Sequence, residues 1–520
     1  MLETEQDTIK KEDSINRRYL AKLSTNIIGL FIGFGTQAII PRGLGPAAYG
    51  NFYFLFNSFK QIFSFLDMGS SFGFFSKLSQ RKQDKGLIVF YGYFCIAVCL
   101  LVSVFVGLLH LISKFSYFFP GQSIFFIYLG MVFGFLNWSS EIVQKMIDAY
   151  GLTVKGETLK ILMRILNIAI VGSLFFFSKL NLFSFFLSQY LGLFLLIACL
   201  IFVAWKEGFL KIVTWKLSRG YAKQYFWEFY NYTNPLFIYA CVGLIAPISE
   251  RWLLQYFGGS VEQGFFWLSF QIGLICSLFT SAMDPIFLRE FAIAFNKNDD
   301  QEIQRIYNRY VPMLYAISAY FSCFIALQSS KVIYLFGGEK FSGAFWAILI
   351  MSFLPLHHTY GQVCGNYFYG TGQTRIYRNV GIIFMLLGMV ASFFILSPGK
   401  YFGLNAGATG LALKTVIFNV LYANILNFVL CRKLKIRFRS SLKHQVICVA
   451  VMAPISLLTR SMDIILKSLN VFVLFLIDGM IYTAIVAIFV LVFPQIFGLD
   501  RNDIYTLKNM VLQKINTAYQ

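Results

Sequence analysis

Three basic side chains stand inside long apolar runs: Lys60, Arg164 and Lys414. A charge at bilayer depth costs roughly 2.5–3.5 kcal/mol on insertion scales, so such groups face a wet cavity or a partner. Their chemistry would be anion binding. Arg grips phosphate oxygens in pairs through its planar fork, while Lys acts as a point charge. Polar residues accompany them at helical spacing. Asn57, Lys60, Ser64, Asp67 and Ser71 fall at i, i+3, i+7, i+10 and i+14, which puts them on one helix face. Asn137, Glu141, Gln144 and Asp148 repeat the pattern, and His358, Gln362 and Asn366 echo it further along. Lys60, Arg164 and Lys414 are therefore candidates for binding an anionic substrate. Asn57, Asp67, Glu141, Gln144, Asp284, His358 and Gln362 are candidates for lining the cavity or coupling an ion. The alternative is internal neutralisation, Lys60 with Asp67 or Arg164 with Glu141, and Asp67, Glu141 and Asp284 read equally as structural or gate charges. Asp284-Pro285 also interrupts a helix. Asp478, in the last apolar run, receives no role.

The elements that must position these residues are membrane helices. The chain has 520 residues, 58% hydrophobic and only 13% charged, with 60 Phe and a net charge of +20. A soluble domain carries about 25% charge. That contrast excludes a soluble enzyme, and the composition excludes disorder, collagen and a disulfide scaffold. A crossing helix needs about 20 apolar residues. Such runs number about fourteen. They fall near 20–40, 49–72, 87–112, 121–147, 157–178, 182–204, 230–256, 264–288, 308–328, 341–363, 375–397, 402–430, 444–460 and 469–493. The polar N-terminal stretch lacks the apolar core of a signal peptide, so the first span is expected to act as its own insertion signal.

Basic residues set the orientation. With the N-terminus cytoplasmic, 32 of the 44 Lys and Arg fall in cytoplasmic segments. The opposite loops hold nine, among them Lys331, Lys400 and Arg460. This is a positive-inside pattern with both termini cytoplasmic, so most of the +20 is topology and no nucleic-acid partner is implied.

The chain also repeats itself. Tyr49-Gly50-Asn51-Phe52-Tyr53 aligns with Gln263-Gly264-Phe265-Phe266-Trp267 at an offset of 214. Asp148-Ala149-Tyr150-Gly151 aligns with Tyr367-Phe368-Tyr369-Gly370 at 219, and Lys179 with Lys400 at 221. An even number of spans per half gives parallel repeats. The expected fold is an all-α polytopic membrane protein of about 14 helices. It comprises two parallel six-helix lobes and two extra C-terminal helices. The lobes are expected at 20–204 and 230–430, joined by a cytoplasmic loop at 205–229. A tail at 1–19 precedes them, the last two spans occupy 431–493 and a second tail covers 494–520. GxxxG-like pairs Gly29/Gly33 and Gly130/Gly134 read as close helix packing. Phosphate-loop, GxSxG and HExxH motifs are absent, and the nine Cys and four His offer no metal spacing, so neither an enzyme nor a metal or cofactor is expected.

Residues Pro41-Arg42-Gly43-Leu44-Gly45-Pro46-Ala47-Ala48-Tyr49-Gly50 resemble the PRxLGPxxYG signature after the first helix of bacterial polysaccharide flippases. Tyr369-Gly370-Thr371-Gly372-Gln373-Thr374-Arg375 resembles their turn after the tenth helix. These flippases belong to the multidrug/oligosaccharidyl-lipid/polysaccharide exporter superfamily, and the likeness spans the chain. Late in the seventh span, where the family often carries an acidic residue before an apolar run, this chain departs with Ser249-Glu250-Arg251-Trp252. The resemblance implies a MATE-like fold in the bacterial inner membrane. It implies alternating-access transfer of an undecaprenyl-pyrophosphate-linked oligosaccharide to the periplasmic leaflet, for O-antigen, lipopolysaccharide or another surface polysaccharide. Polysaccharide polymerase machinery would be a neighbour. A multidrug antiporter of the same fold is the alternative, disfavoured because residues 20–40 carry no Asp or Glu. A membrane glycan polymerase or ligase is a further one, disfavoured by short outer loops.

Overall fold

A computed structural model of the chain describes residues 15–82, 84–210, 218–233, 237–281, 283–464 and 469–499. Within these it is helical throughout, as backbone in lipid requires. The first helices are α1 (Ile15–Asp67), α2 (Ser70–Gln80), α3 (Lys85–Leu111), α4 (Phe115–Phe118), α5 (Ile124–Ala149), α6 (Thr153–Phe176), α7 (Leu182–Lys206), α8 (Arg219–Thr233) and α9 (Phe237–Ser281). They are followed by α10 (Asp284–Asn296), α11 (Asp300–Leu327), α12 (Ser329–Phe336), α13 (Phe345–Met351), α14 (Leu354–Gly370), α15 (Thr374–Leu396), α16 (Gly407–Lys433), α17 (Phe438–Arg460) and α18 (Val471–Val492).

Nine of the described helices are long and apolar enough to cross a membrane, and the pair Glu339–Met351 and Leu354–Gly370, bent by 41°, makes a tenth. The helices α1 and α9 have 53 and 45 residues. At 1.5 Å per residue they run roughly 80 and 68 Å, about twice a bilayer core. Each is long enough for two crossings, so the described helices are compatible with about fourteen spans.

Glycine makes both bends possible. Gly45 breaks α1 at φ 73°, ψ 169°, and Gly259 breaks α9 at φ 76°, ψ −174°, a region other residues enter only under strain. The two bends are 214 residues apart, the offset that aligns Gly50 with Gly264. These last two are sites of close approach inside the first compact unit, which ends at Gly264. A Cβ on Gly50 would lie 1.9 Å from the Ser260 carbonyl oxygen, and one on Gly264 would lie 2.1 Å from that of Pro46. The second unit begins at Phe265.

Local structure corrects three expectations. First, the stripe from Asn57 to Ser71 is not one face. Met68 and Gly69 take left-handed φ of 43° and 78°, α1 stops at Asp67, and α2 restarts in a new register. Lys60 and Ser64 stay exposed, while Asp67 and Ser71 are buried. Second, Gly130 and Gly134 do pack closely, since a Cβ on each would come within 2.9 Å of Leu55 and 2.7 Å of Phe59. Gly33 has nothing within 4 Å, and the space over Gly29 holds the Arg164 guanidinium instead of a helix. Third, the expected 205–229 loop contains most of α8. This helix exposes Tyr221, Phe226, Trp227 and Tyr230 and buries Tyr225 and Phe229. Aromatic on its outer side and polar between, it has the character of a helix lying in a membrane interface.

Candidate functional site

Arg164 sits at the middle of α6, eleven residues past Thr153. It is exposed, and its Nη1 donates to the Thr25 carbonyl oxygen of α1 at 3.2 Å. Gly29 is the seat that permits this, because a Cβ there would lie 1.6 Å from Nη1. Lys60 is exposed on the second leg of α1, with its ammonium 5.7 Å from the Phe56 ring centre, within cation–π range. Neither Lys60–Asp67 nor Arg164–Glu141 forms as an ion pair among the described residues, so internal neutralisation does not account for these two cations. Next to Lys60, a cleft of about 330 Å³ is lined by Gln61, Ser64, Phe65, Met68, Ala240 and Leu244, with two glycines. Lys414 differs from the other two cations. It is 7% exposed in α16, with Nζ 5.3 Å from the Phe418 ring.

Asp67 ends α1 inside a buried polar knot. Its Oδ1 accepts from Ser70 Oγ at 3.2 Å, Ser71 N at 3.2 Å, Tyr91 OH at 3.1 Å and Trp138 Nε1 at 3.3 Å. Its Oδ2 accepts from Ser71 Oγ at 2.8 Å. The Lys145 ammonium reaches the same knot through Ser71 Oγ at 2.6 Å and lies 3.9 Å over the Phe72 ring. The carboxylate also satisfies one amide donor at the start of α2, that of Ser71.

Two residues of the α14 stripe, Gln362 and Asn366, meet at Asp284. Gln362 Nε2 donates to its Oδ2 at 3.2 Å and Asn366 Nδ2 to its Oδ1 at 2.8 Å. Hydroxyls continue the network. Thr280 reaches Gln362 Oε1 at 3.5 Å, Thr359 reaches Thr280 at 3.4 Å, and Ser318 and Thr359 share a bond of 2.8 Å. Carboxylate, amides and hydroxyls are the oxygen-rich surroundings that suit a small hard cation. His358 lies against Gln362, whereas His357 turns to Gln445 at 3.2 Å, as adjacent helical residues must. No group of three or more His, Cys, Asp or Glu among the described residues could hold a metal ion.

The α5 stripe stays apart from these networks. Glu141 is exposed and accepts from Asn137 at 3.2 Å, Gln144 and Asn57 are half-buried, and Asp148 pairs with Lys22 of α1 at 3.0 Å. Sequence reasoning missed the clamp on α2. Lys77 at 2.7 Å and Arg81 at 2.8 Å both bind Glu228 of α8, while Tyr225 OH donates to Asp84 at 2.7 Å. Burial alone would raise the Glu228 carboxyl, but hydrogen bonds from Lys77, Arg81 and Gln224 outweigh it and hold it at about 2. The available signal was the charge pattern of α8, a lone Glu among aromatics.

No protein-family model matches the chain, and no curated protein matches it in sequence. Solved structures do match in fold. An inward-facing multidrug resistance MATE family transporter of the MOP superfamily aligns at TM-score 0.58 and 15% identity, covering 80% of this chain and 98% of that one. The lipid II flippase MurJ, in an inward closed conformation, aligns at TM-score 0.63 and 13% identity, covering 91% and 98%. A MOP superfamily transporter from Pyrococcus furiosus, whose reverse pocket polarity suggests a different function, aligns at 0.52 and 16%, covering 82% and 97%. At these identities the likeness is one of fold: the chain is an all-α membrane protein with the architecture shared by MATE transporters and MurJ.

Proposed function

We propose that this chain flips an undecaprenyl-pyrophosphate-linked oligosaccharide, an O-antigen or other surface-polysaccharide unit, from the cytoplasmic to the outer leaflet by alternating access. The observation that carries the reading is the state of Lys60 and Arg164. Both stand within spanning helices, both are exposed, and neither touches a carboxylate among the described residues. A cation so deep in a membrane protein faces water rather than lipid. Two of them in one unit suit a pyrophosphate headgroup, with the polyprenyl tail left in lipid. An inside-negative potential assists outward movement, and about two charges gain roughly 4.6 kcal/mol per 100 mV. The fold shared with the lipid II flippase MurJ supports a lipid-linked cargo, and the 32-to-9 split of basic residues supports cytoplasmic termini. The MATE likeness supports the competing reading, an antiporter of cationic drugs. Exposed cations disfavour that cargo by simple repulsion.

The test is charge reversal in cells. Lys60→Glu and Arg164→Glu are expected to abolish surface glycan at unchanged protein level, with Arg164→Lys milder because only the fork is lost. Normal export by both reversed variants would sink the reading.

A further inference from the structure

Asp478, for which the sequence offered no role, lies in a largely buried charge cluster of the second unit. It is 1% exposed and sits seven residues past the start of α18, roughly 10 Å inside that helix. Its Oδ2 binds the ammonium of Lys331 from α12. The same ammonium binds Oδ1 of Asp463 at 2.5 Å, in the turn that follows α17. Lys331 is itself 7% exposed, whereas the Asp463 side chain is 29% exposed. Among the described residues two carboxylates thus share one ammonium, leaving that group one negative charge in excess. A second observation is that Asp478 Oδ1 is buried and closes no hydrogen bond within range, and neither does Nε2 of Gln328, a 1% exposed side chain that lies against Asp478 and in this orientation faces the carboxylate as a donor.

We propose that Asp478, Lys331 and Asp463 form a one-proton binding site, with the proton on Asp478 and Asp463 as its contact with the aqueous phase. Binding adds H⁺ to the Asp478 carboxylate and brings the cluster from −1 to neutral. Two opposed carboxylates near one another cannot both stay ionised cheaply in a low-dielectric setting. The new O–H needs an acceptor. Gln328 supplies it once its amide turns over, since the O and N ends of such a group occupy nearly the same space. A metal cation is disfavoured because Lys331 already occupies the position between the carboxylates. Among the described residues the charged groups facing Asp478 are Lys331 from α12 and Asp463 from the turn after α17. Tyr482 lies one turn deeper in α18, with Tyr320 and Cys323 of α11 beside it. His444 and Cys448 of α17 face Ile496, beyond the far end of α18. The site ties α12 to α17 and α18, the two helices outside the duplication. It shares no residue with the Asp284 network or with the cations of the proposed anion route.

Infrared difference spectroscopy on the purified full-length protein in nanodiscs tests this directly. A protonated-carboxyl C=O band is expected at neutral pH, fading as pH rises. It should be missing in Asp478→Asn. It should also be missing in Asp463→Asn, the more exposed of the two carboxylates, with folding checked by thermal unfolding, because the remaining Lys–Asp pair is neutral without a proton. Lys331→Met should move the titration to higher pH. A band unchanged in both Asp variants overturns the proposal. So does a band that responds to sodium at fixed pH and not to pH in sodium-free buffer.

Discussion

Asp67 and Asp284 stand 217 residues apart, at matching places in the duplicated chain, and they are held in opposite ways. Asp67 precedes its helix break and is 8% exposed, with hydroxyl, phenol, indole and backbone donors filling both oxygens. Asp284 follows its break, opens α10 and is half-buried, held by two side-chain amides beside a chain of hydroxyls. The helices after the breaks differ too. Glu228 also clamps α2 through Lys77 and Arg81, whereas α10 carries the exposed, local pair Arg289–Glu290. A carboxylate saturated by fixed donors has little left to offer a ligand. One held by amides, whose oxygens can be turned inward, can exchange a partner. The comparison assigns Asp67 to architecture and makes Asp284 the better candidate for ion coupling.

The largest effect should come from breaking the first knot. Asp67→Ala removes the acceptor of Ser71 and Trp138 and leaves Ser70 and Tyr91 only their mutual bond of 2.9 Å, and is expected to cost about 3 kcal/mol, read as thermal unfolding in detergent. Unchanged stability would mean the knot is not structural. Asp284→Asn should be gentler on the fold, about 1 kcal/mol, because Gln362 and Asn366 can re-pair with an amide. It should instead remove any dependence of transport on a coupling cation, measured in vesicles with the gradient imposed or collapsed. Equal losses of stability in the two variants would erase the distinction drawn here.

The smallest effect concerns the far end of α2. Glu228 is held at about 2 against an ordinary value of 4.5, so its contribution is complete above that ordinary value and disappears as pH falls towards 2. Its side chain is a quarter exposed, which screens the gain, so Glu228→Gln should cost under about 1 kcal/mol at pH 7 and nothing in strong acid. Proteolysis of the segment around α8 at several pH values measures it.

Much of this was legible in the sequence, and the exceptions have physical reasons. Helical spacing found Gln362 and Asn366, and both meet Asp284 because α14 keeps one register across them. The same rule failed at Ser71 because Met68 and Gly69 reset the register. Tyr91 and Trp138 read as apolar bulk until the fold brought their single polar atoms to Asp67. Lys331 and Asp478 are 147 residues apart, on helices with no repeat to align them, so spacing carried no trace of their meeting. Gly29 carried the pattern of a helix contact, and only the long reach of Arg164 explains why it is small.

The most direct measurement of the central claim is leaflet transfer by the purified chain in sealed vesicles. Two fluorescent polyprenyl-linked oligosaccharides would be compared, identical except that one carries pyrophosphate and the other a neutral linker. Faster movement of the pyrophosphate form, with the advantage lost in Lys60→Glu and Arg164→Glu, is the predicted result. Equal transfer of the two lipids, or an advantage that survives both substitutions, would contradict the account.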